Sequence, residues 1–116
     1  LDPRHVLAHS NLGVAYSRSG QMELAIESYG KALAINPNLF DAYLNRGIDY
    51  FTMNVYEEAL QDLGNAIAIN PSVGASYYFR GLVLLAINQP GACADFQRAL
   101  QRGFKQAAEQ FSQHCK

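Results

Sequence analysis

Pro3, Pro37 and Pro71 stand at one interval (37 − 3 = 71 − 37 = 34 residues), and each follows an aliphatic residue and an Asp or Asn. A fixed period of this size marks one supersecondary unit repeated and stacked, rather than a single globular core. Every other residue is therefore read by its place in the period.

Between the first two prolines, Val6, His9, Leu12, Gly13 and Tyr16 are followed by Ala25, Tyr29 and Ala32. Steps of three and four residues predict two amphipathic helices. Gly20 divides them, and one and two periods later the same place holds Asn54 and Asn88. Gly and Asn are the residues that most readily take the left-handed backbone that ends a helix. Each proline then closes a second helix, because the residue before a proline is pushed out of the helical region. Gly13, Gly47 and Gly81 recur on the first helices, and Ala25 and Ala59 on the second. Small residues at those places let paired helices approach closely.

The first unit thus reads His9-x2-Leu12-Gly13-x2-Tyr16, Ala25-x3-Tyr29, Pro37. The second reads Tyr43-x2-Arg46-Gly47-x2-Tyr50, Ala59-x3-Leu63, Pro71, and the third Tyr77-x2-Arg80-Gly81-x2-Leu84, Ala92-x3-Phe96. This pattern resembles the tetratricopeptide repeat. The resemblance implies an all-α fold, a right-handed superhelical array of antiparallel helix pairs. It divides the chain into the tail of a preceding repeat (1–5), repeats at 6–39, 40–73 and 74–106, and a capping helix at about 104–115.

The third unit departs from the pattern. Leu84 to Ala92 is one residue shorter than Tyr50 to Ala59, and the segment holds Gln89-Pro90-Gly91. Pro90 suits the first turn of a helix, so a tighter turn and an intact helix are expected. The closing proline is missing, and Gly103 reads as the stop instead. Beyond it Phe104, Ala107, Ala108, Phe111 and Cys115 form an apolar stripe opposite Lys105, Gln106, Glu109, Gln110 and Gln113. A one-sided helix of this kind seals the end of a stack. The front carries no such seal, so the chain is expected to be the C-terminal piece of a longer array. Self-association through that uncovered first-repeat face is a corollary.

Composition narrows the function classes. The net charge of −1 offers no electrostatic footprint for nucleic acid. No apolar run reaches the roughly 18 residues needed for membrane insertion as a spanning helix. No basic stretch followed by an apolar one opens the chain, so a reducing, cytoplasmic setting is the expectation. There the two cysteines, Cys93 and Cys115, are expected as free thiols, although a disulfide between them is geometrically feasible.

Arg46 and Arg80 precede the glycines of the second and third units, and the second helices of those units carry Asp62 and Asp95. The first unit has Leu12 and Ser28 there, so the charges occur together or not at all. Structural ion pairs Arg46–Asp62 and Arg80–Asp95 are predicted, with the guanidinium fork on the carboxylate. Asp49 occupies a slot filled by Ala15 and Val83 elsewhere and is expected to be satisfied locally by Arg46 three residues before it. His5 and His9 are too few for a closed metal site. Neither a metal, a cofactor nor a catalytic residue is assigned, and the chain is expected not to be an enzyme.

In such an array the first helix of each unit lines the concave face, and the resemblance implies that peptides bind there. The residues expected on it are Ser10, Asn11, Val14 and Arg18, then Asp41, Leu44, Asn45, Ile48 and Phe51, then Tyr78, Phe79, Leu82 and Leu85. The repeats that clamp acidic chaperone tails use Lys, Asn and Arg on this face. Here the comparable places hold Ser10, Val14, Asn45, Ala75 and Phe79, and Asn45 alone matches. The implied function is a protein–protein interaction scaffold for a peptide or partner domain. The alternatives are the substrate-recognition arm of a larger enzyme, and the scaffold of a secreted or lipid-anchored bacterial assembly.

Overall fold

The computed structural model describes residues 3–115, and the regular elements among them are helices. In chain order these are α1 (Pro3–Arg18), α2 (Met22–Ile35), α3 (Phe40–Thr52), α4 (Tyr56–Ile69), α5 (Gly74–Ala86), α6 (Ala92–Gln101) and α7 (Ala107–His114). They form three antiparallel pairs, α1–α2, α3–α4 and α5–α6, with α7 laid on the last.

Each pair turns on one left-handed residue: Gly20 at φ 81°, Asn54 at 63° and Asn88 at 57°. That conformation lets the residue's own amide and the next one reach back into the helix just ended. The Asn54 amide donates to the Phe51 carbonyl at 2.9 Å and the Val55 amide to Tyr50 at 2.8 Å, and the other two turns repeat this. Two carbonyls that would otherwise lose their partners are thereby satisfied. Gly103, at φ 84°, ends α6 in the same way, with the Phe104 amide donating to the Ala99 carbonyl at 3.0 Å.

The links between pairs use different chemistry. Asn36 and Asn70 leave the helices in extended conformation, as the following prolines require. Their side chains then accept from the amides two residues on, Asn38 at 3.0 Å and Ser72 at 3.2 Å, which fixes the turn.

Within a pair the helices meet where a glycine faces a large side chain. A Cβ on Gly13 would lie 2.5 Å from the Tyr29 ring, one on Gly47 2.9 Å from Leu63, and one on Gly81 2.6 Å from the Phe96 ring. Tyr29, Leu63 and Phe96 are fully buried there, each stabilising the fold by about 1.5–3 kcal/mol. Across pairs, α1 approaches α3 and α3 approaches α5, whereas α2 meets α4, and α4 meets α6, at most grazingly. The array, 48 × 25 × 21 Å, therefore bends with α1, α3 and α5 on its inner side.

Four expectations need correction. Arg4 and His5, assigned to the tail of a preceding unit, are part of α1, while Leu1 and Asp2 lie outside the described residues. Proline is well placed at a helix start, and nothing in Arg4-His5 interrupts the helix. The third unit's second helix is not intact: α6 has 10 residues against 14 in α2 and α4. Gly91 takes φ 107°, which no helical residue can, so Pro90 stands before α6 rather than in its first turn. The last helix begins at Ala107 rather than at 104; Ala107 is buried and Phe104, Phe111 and Cys115 pack on the α5–α6 core, but Ala108 is exposed.

The fourth correction concerns the cysteines. Cys93 and Cys115 are joined by a disulfide, with Cα atoms 5.7 Å apart. The Gly103 turn folds α7 back along α6, which sets the end of one helix beside the start of the other. That is within the reach of a disulfide, so the feasible bond, and not the expected pair of free thiols, is what the fold contains.

Candidate functional site

The seam between α1 and α3 is the most polar part of the inner side. Ser10, Asn11, Val14, Asp41 and Asn45 line a cavity of about 300 Å³ there, with Leu7 on its wall. Val14 and Asn45 continue into a second cavity of about 320 Å³, shared with Ser17, Arg18, Ile48, Asp49 and the edge of Tyr29. The helix period explains the grouping: residues three and four apart on facing helices project into one groove. Seven of the residues expected on the concave face are thus brought together between two helices.

The other six lie elsewhere. Leu44, Phe51 and Phe79 pack on the core around Leu63 and Val83, and Tyr78, Leu82 and Leu85 pack on the core around Phe96. Tyr78 has its ring centroid 4.9 Å from Phe104, 5.1 Å from Phe79 and 6.1 Å from Phe96. It is a spacer between α5 and the residues leading into α7.

The two arginines preceding glycine face away from the seam. Arg46 Nε and Nη2 donate to the two Asp62 oxygens at 2.7 and 2.8 Å, and Arg80 Nε and Nη2 donate to Asp95 at 2.8 Å each. Asp62 and Asp95 are buried, and Arg98 adds a third donor to Asp95 at 3.1 Å. The hydrogen bonds that each arginine donates to its aspartate raise the arginine's pKa further. Arg46 also lies 5.9 Å from the centroids of the Tyr43 and Tyr50 rings, a cation–π sandwich.

Asp49 corrects the expectation of a local partner. Arg46 is committed to Asp62, and Asp49 instead accepts the Ser17 hydroxyl at 2.7 Å across the seam. It is 4% exposed, and its second oxygen, Oδ2, is buried with no hydrogen-bond donor among the described residues. Burial pushes the carboxyl above its ordinary value, and the Ser17 hydrogen bond offsets part of that. Burial, then the nearby Asp49 charge, pushes the Tyr29 phenol up to about 12, with Arg18 acting the other way. Tyr29 is therefore a neutral wall. Sequence reasoning left Asp49 and Tyr29 off the face. The available signal was a carboxylate in a slot held by Ala15 and Val83, which pointed to an unusual environment but not to its neighbours.

Comparison with known proteins places this geometry. The family model described as tetratricopeptide repeat matches residues 6–39. No curated protein matches the chain by sequence. Among solved structures, the first TPR of Spaghetti (RPAP3), bound to the HSP90 peptide SRMEEVD, superposes with a TM-score of 0.91 at 25% identity, over 97% of this chain and 92% of that one. The second TPR domain of human RPAP3, in complex with the HSP70 peptide SGPTIEEVD, gives 0.90 at 27% identity, over 97% of each chain. MamA gives 0.89 at 26% identity, over 95% of this chain and 66% of that one.

Proposed function

We propose that this chain, a member of the tetratricopeptide-repeat family and a protein-interaction scaffold, takes an extended partner peptide along its inner face, centred on the α1–α3 seam. The observation that carries this reading is the pair Asn11 and Asn45, which border one groove from facing helices. An amide side chain both donates to and accepts from a peptide backbone, so two of them along a groove hold an extended strand irrespective of its sequence. Val14 and Ile48 between them supply an apolar floor.

The peptide differs in kind from those in the RPAP3 structures, which end in Glu-Glu-Val-Asp or its equivalent. A tail of that sort needs a ring of cations. At the clamp places this chain has Ser10, Val14, Ala75 and Phe79, with Asn45 the one match. The Cys93–Cys115 bond favours a second reading of where the scaffold works. Disulfides persist in oxidising compartments, so a secreted or surface-anchored assembly fits this chain better than a reducing one.

The test is binding of peptides selected from a displayed random library. Replacing Asn11 and Asn45 together by Ala should weaken the selected peptides about tenfold or more while leaving the helical circular dichroism unchanged. Tyr78→Ala should lower the melting temperature instead. Full retention of every peptide by the Asn11/Asn45 variant would remove the seam from consideration.

A further inference from the structure

We infer that the cavity beside Asp49 is a subsite for a cationic side chain of the partner, a lysine or arginine entering between α1 and α3. This rests on the reading of the inner face as the partner site and adds the chemistry of one pocket in it.

The argument begins with a carboxylate that the fold does not complete. Asp49 is 4% exposed as a residue, and it borders a cavity of about 320 Å³. One oxygen holds the Ser17 hydroxyl, and the other has no donor among the described residues. Neutral packing would have served the seam as well, as the fully buried Val83 does at the equivalent position one repeat on. A buried carboxylate with an unused acceptor is costly unless something completes it.

No cation among the described residues does so. Arg46, one turn back on α3, is held by both oxygens of Asp62. Arg18 borders the same cavity but is exposed and makes no ion pair with Asp49. The remaining walls suit an alkyl stem ending in a charge. Val14 and Ile48 are apolar, Tyr29 offers a neutral ring, and Asn45 adds an amide side chain to the lining. Long cationic side chains are bound in this way, stem against apolar surface and head against acceptors. The seam thus carries two carboxylates, Asp41 and Asp49, and its clamp places, Ser10, Val14 and Asn45, hold no cation. Charge complementarity points to a basic partner segment.

The probe is n-butylammonium chloride, compared with n-butanol at equal ionic strength, against the whole chain labelled with ¹⁵N. Butylammonium should shift the amides of residues 14–18 and 45–49 saturably, and butanol should bind at least tenfold more weakly. Asp49→Asn should erase that difference. Arg18→Glu, at the exposed rim, should tighten ammonium binding severalfold by replacing a like charge with an opposite one. Equal shifts by the alcohol and the ammonium, or ammonium binding unaffected by Asp49→Asn, would overturn the inference and leave Oδ2 to a bound water. Should Asp49→Asn fail to fold, ammonium binding indifferent to Arg18→Glu would overturn it as well. The two readings fail separately. Ammonium binding at Asp49 alongside peptides indifferent to the Asn11/Asn45 variant would sink the peptide groove alone. Peptides lost in that variant without any preference for Lys or Arg would sink the cation subsite alone.

Discussion

At the front of the array α1 and α2 meet through Gly13 and Tyr29, and the slots beside them hold Leu12, 45% exposed, and Ser28. At the back α5 and α6 meet through Gly81 and Phe96, and the same slots hold Arg80 and Asp95. The spacing of the helices is alike, so the glycine facing a large side chain is enough to set it. What differs is the fastening. The back has a shortened α6 with less surface to bury, and there two arginines converge on Asp95, a disulfide ties α6 to the end of α7, and α7 covers the core. The front has a full-length α2 and none of these, and it exposes Leu7 and Leu24 as well as Leu12. The covalent link appears where apolar burial between the helices is shortest, while the ionic one also joins the middle pair, Arg46 to Asp62, whose second helix is full length.

The largest expected effect breaks the ionic half of that contrast. Arg80→Ala leaves Asp95, 1% exposed, without its two-pronged donor and should cost about 3–5 kcal/mol in urea unfolding. Replacing both Arg80 and Asp95 by Ala should cost less than Arg80→Ala alone, since no buried charge is then stranded. Equal losses in the single and the double variant would show that the pair is not coupled. Leu12→Ala at the equivalent front position should move stability by no more than about 0.5 kcal/mol.

The covalent half should matter slightly less. Closing a 22-residue separation restricts the unfolded chain by about 3 kcal/mol in the loop-entropy estimate. Replacing Cys93 and Cys115 by Ser should remove about that much and raise amide exchange in α7, with α1 and α2 unchanged. Intact mass after alkylation, with and without reductant, checks the bond directly. Alkylation of both thiols without reductant would dismiss it.

The smallest effect sharpens the picture of the front seam. Asp49's carboxyl lies above its ordinary 3.8 because of burial, so the folded chain holds that proton more tightly than the unfolded one. Its contribution therefore falls as pH rises from the ordinary value through the raised one, and the penalty is fully present above both. Asp49→Asn should be stabilising near neutral pH. The advantage over the wild type should shrink as pH is lowered through that window. Melting temperatures of the two proteins, compared at matched pH, would expose the opposite trend if it exists.

Much of this was legible in the chain. Proline fixes its own φ and restrains its predecessor, and only Gly or Asn takes φ near 60–80° at low cost. Pro37, Pro71, Gly20, Asn54 and Asn88 therefore mark turns in any fold they enter. The Arg–Asp pairings were visible for a related reason: within a repeat, contact follows from position in the period. Pro90 misled because its own φ suits a helix, while the left-handed Gly91 beside it ends any such possibility.

By itself, then, the sequence determined the repeat, its helix pairs, their turns and the links inside each pair, because all of these are set by backbone restrictions and by spacing along one chain. The tertiary structure alone decided which inner residues border a groove and which are consumed in packing. It also decided that Asp49 meets Ser17, 32 residues away, rather than Arg46, and that Cys93 meets Cys115. Those outcomes depend on the angle at which one helix pair stacks on the next and on how α7 folds back. That angle is a sum over many side-chain contacts, and no single residue carries it.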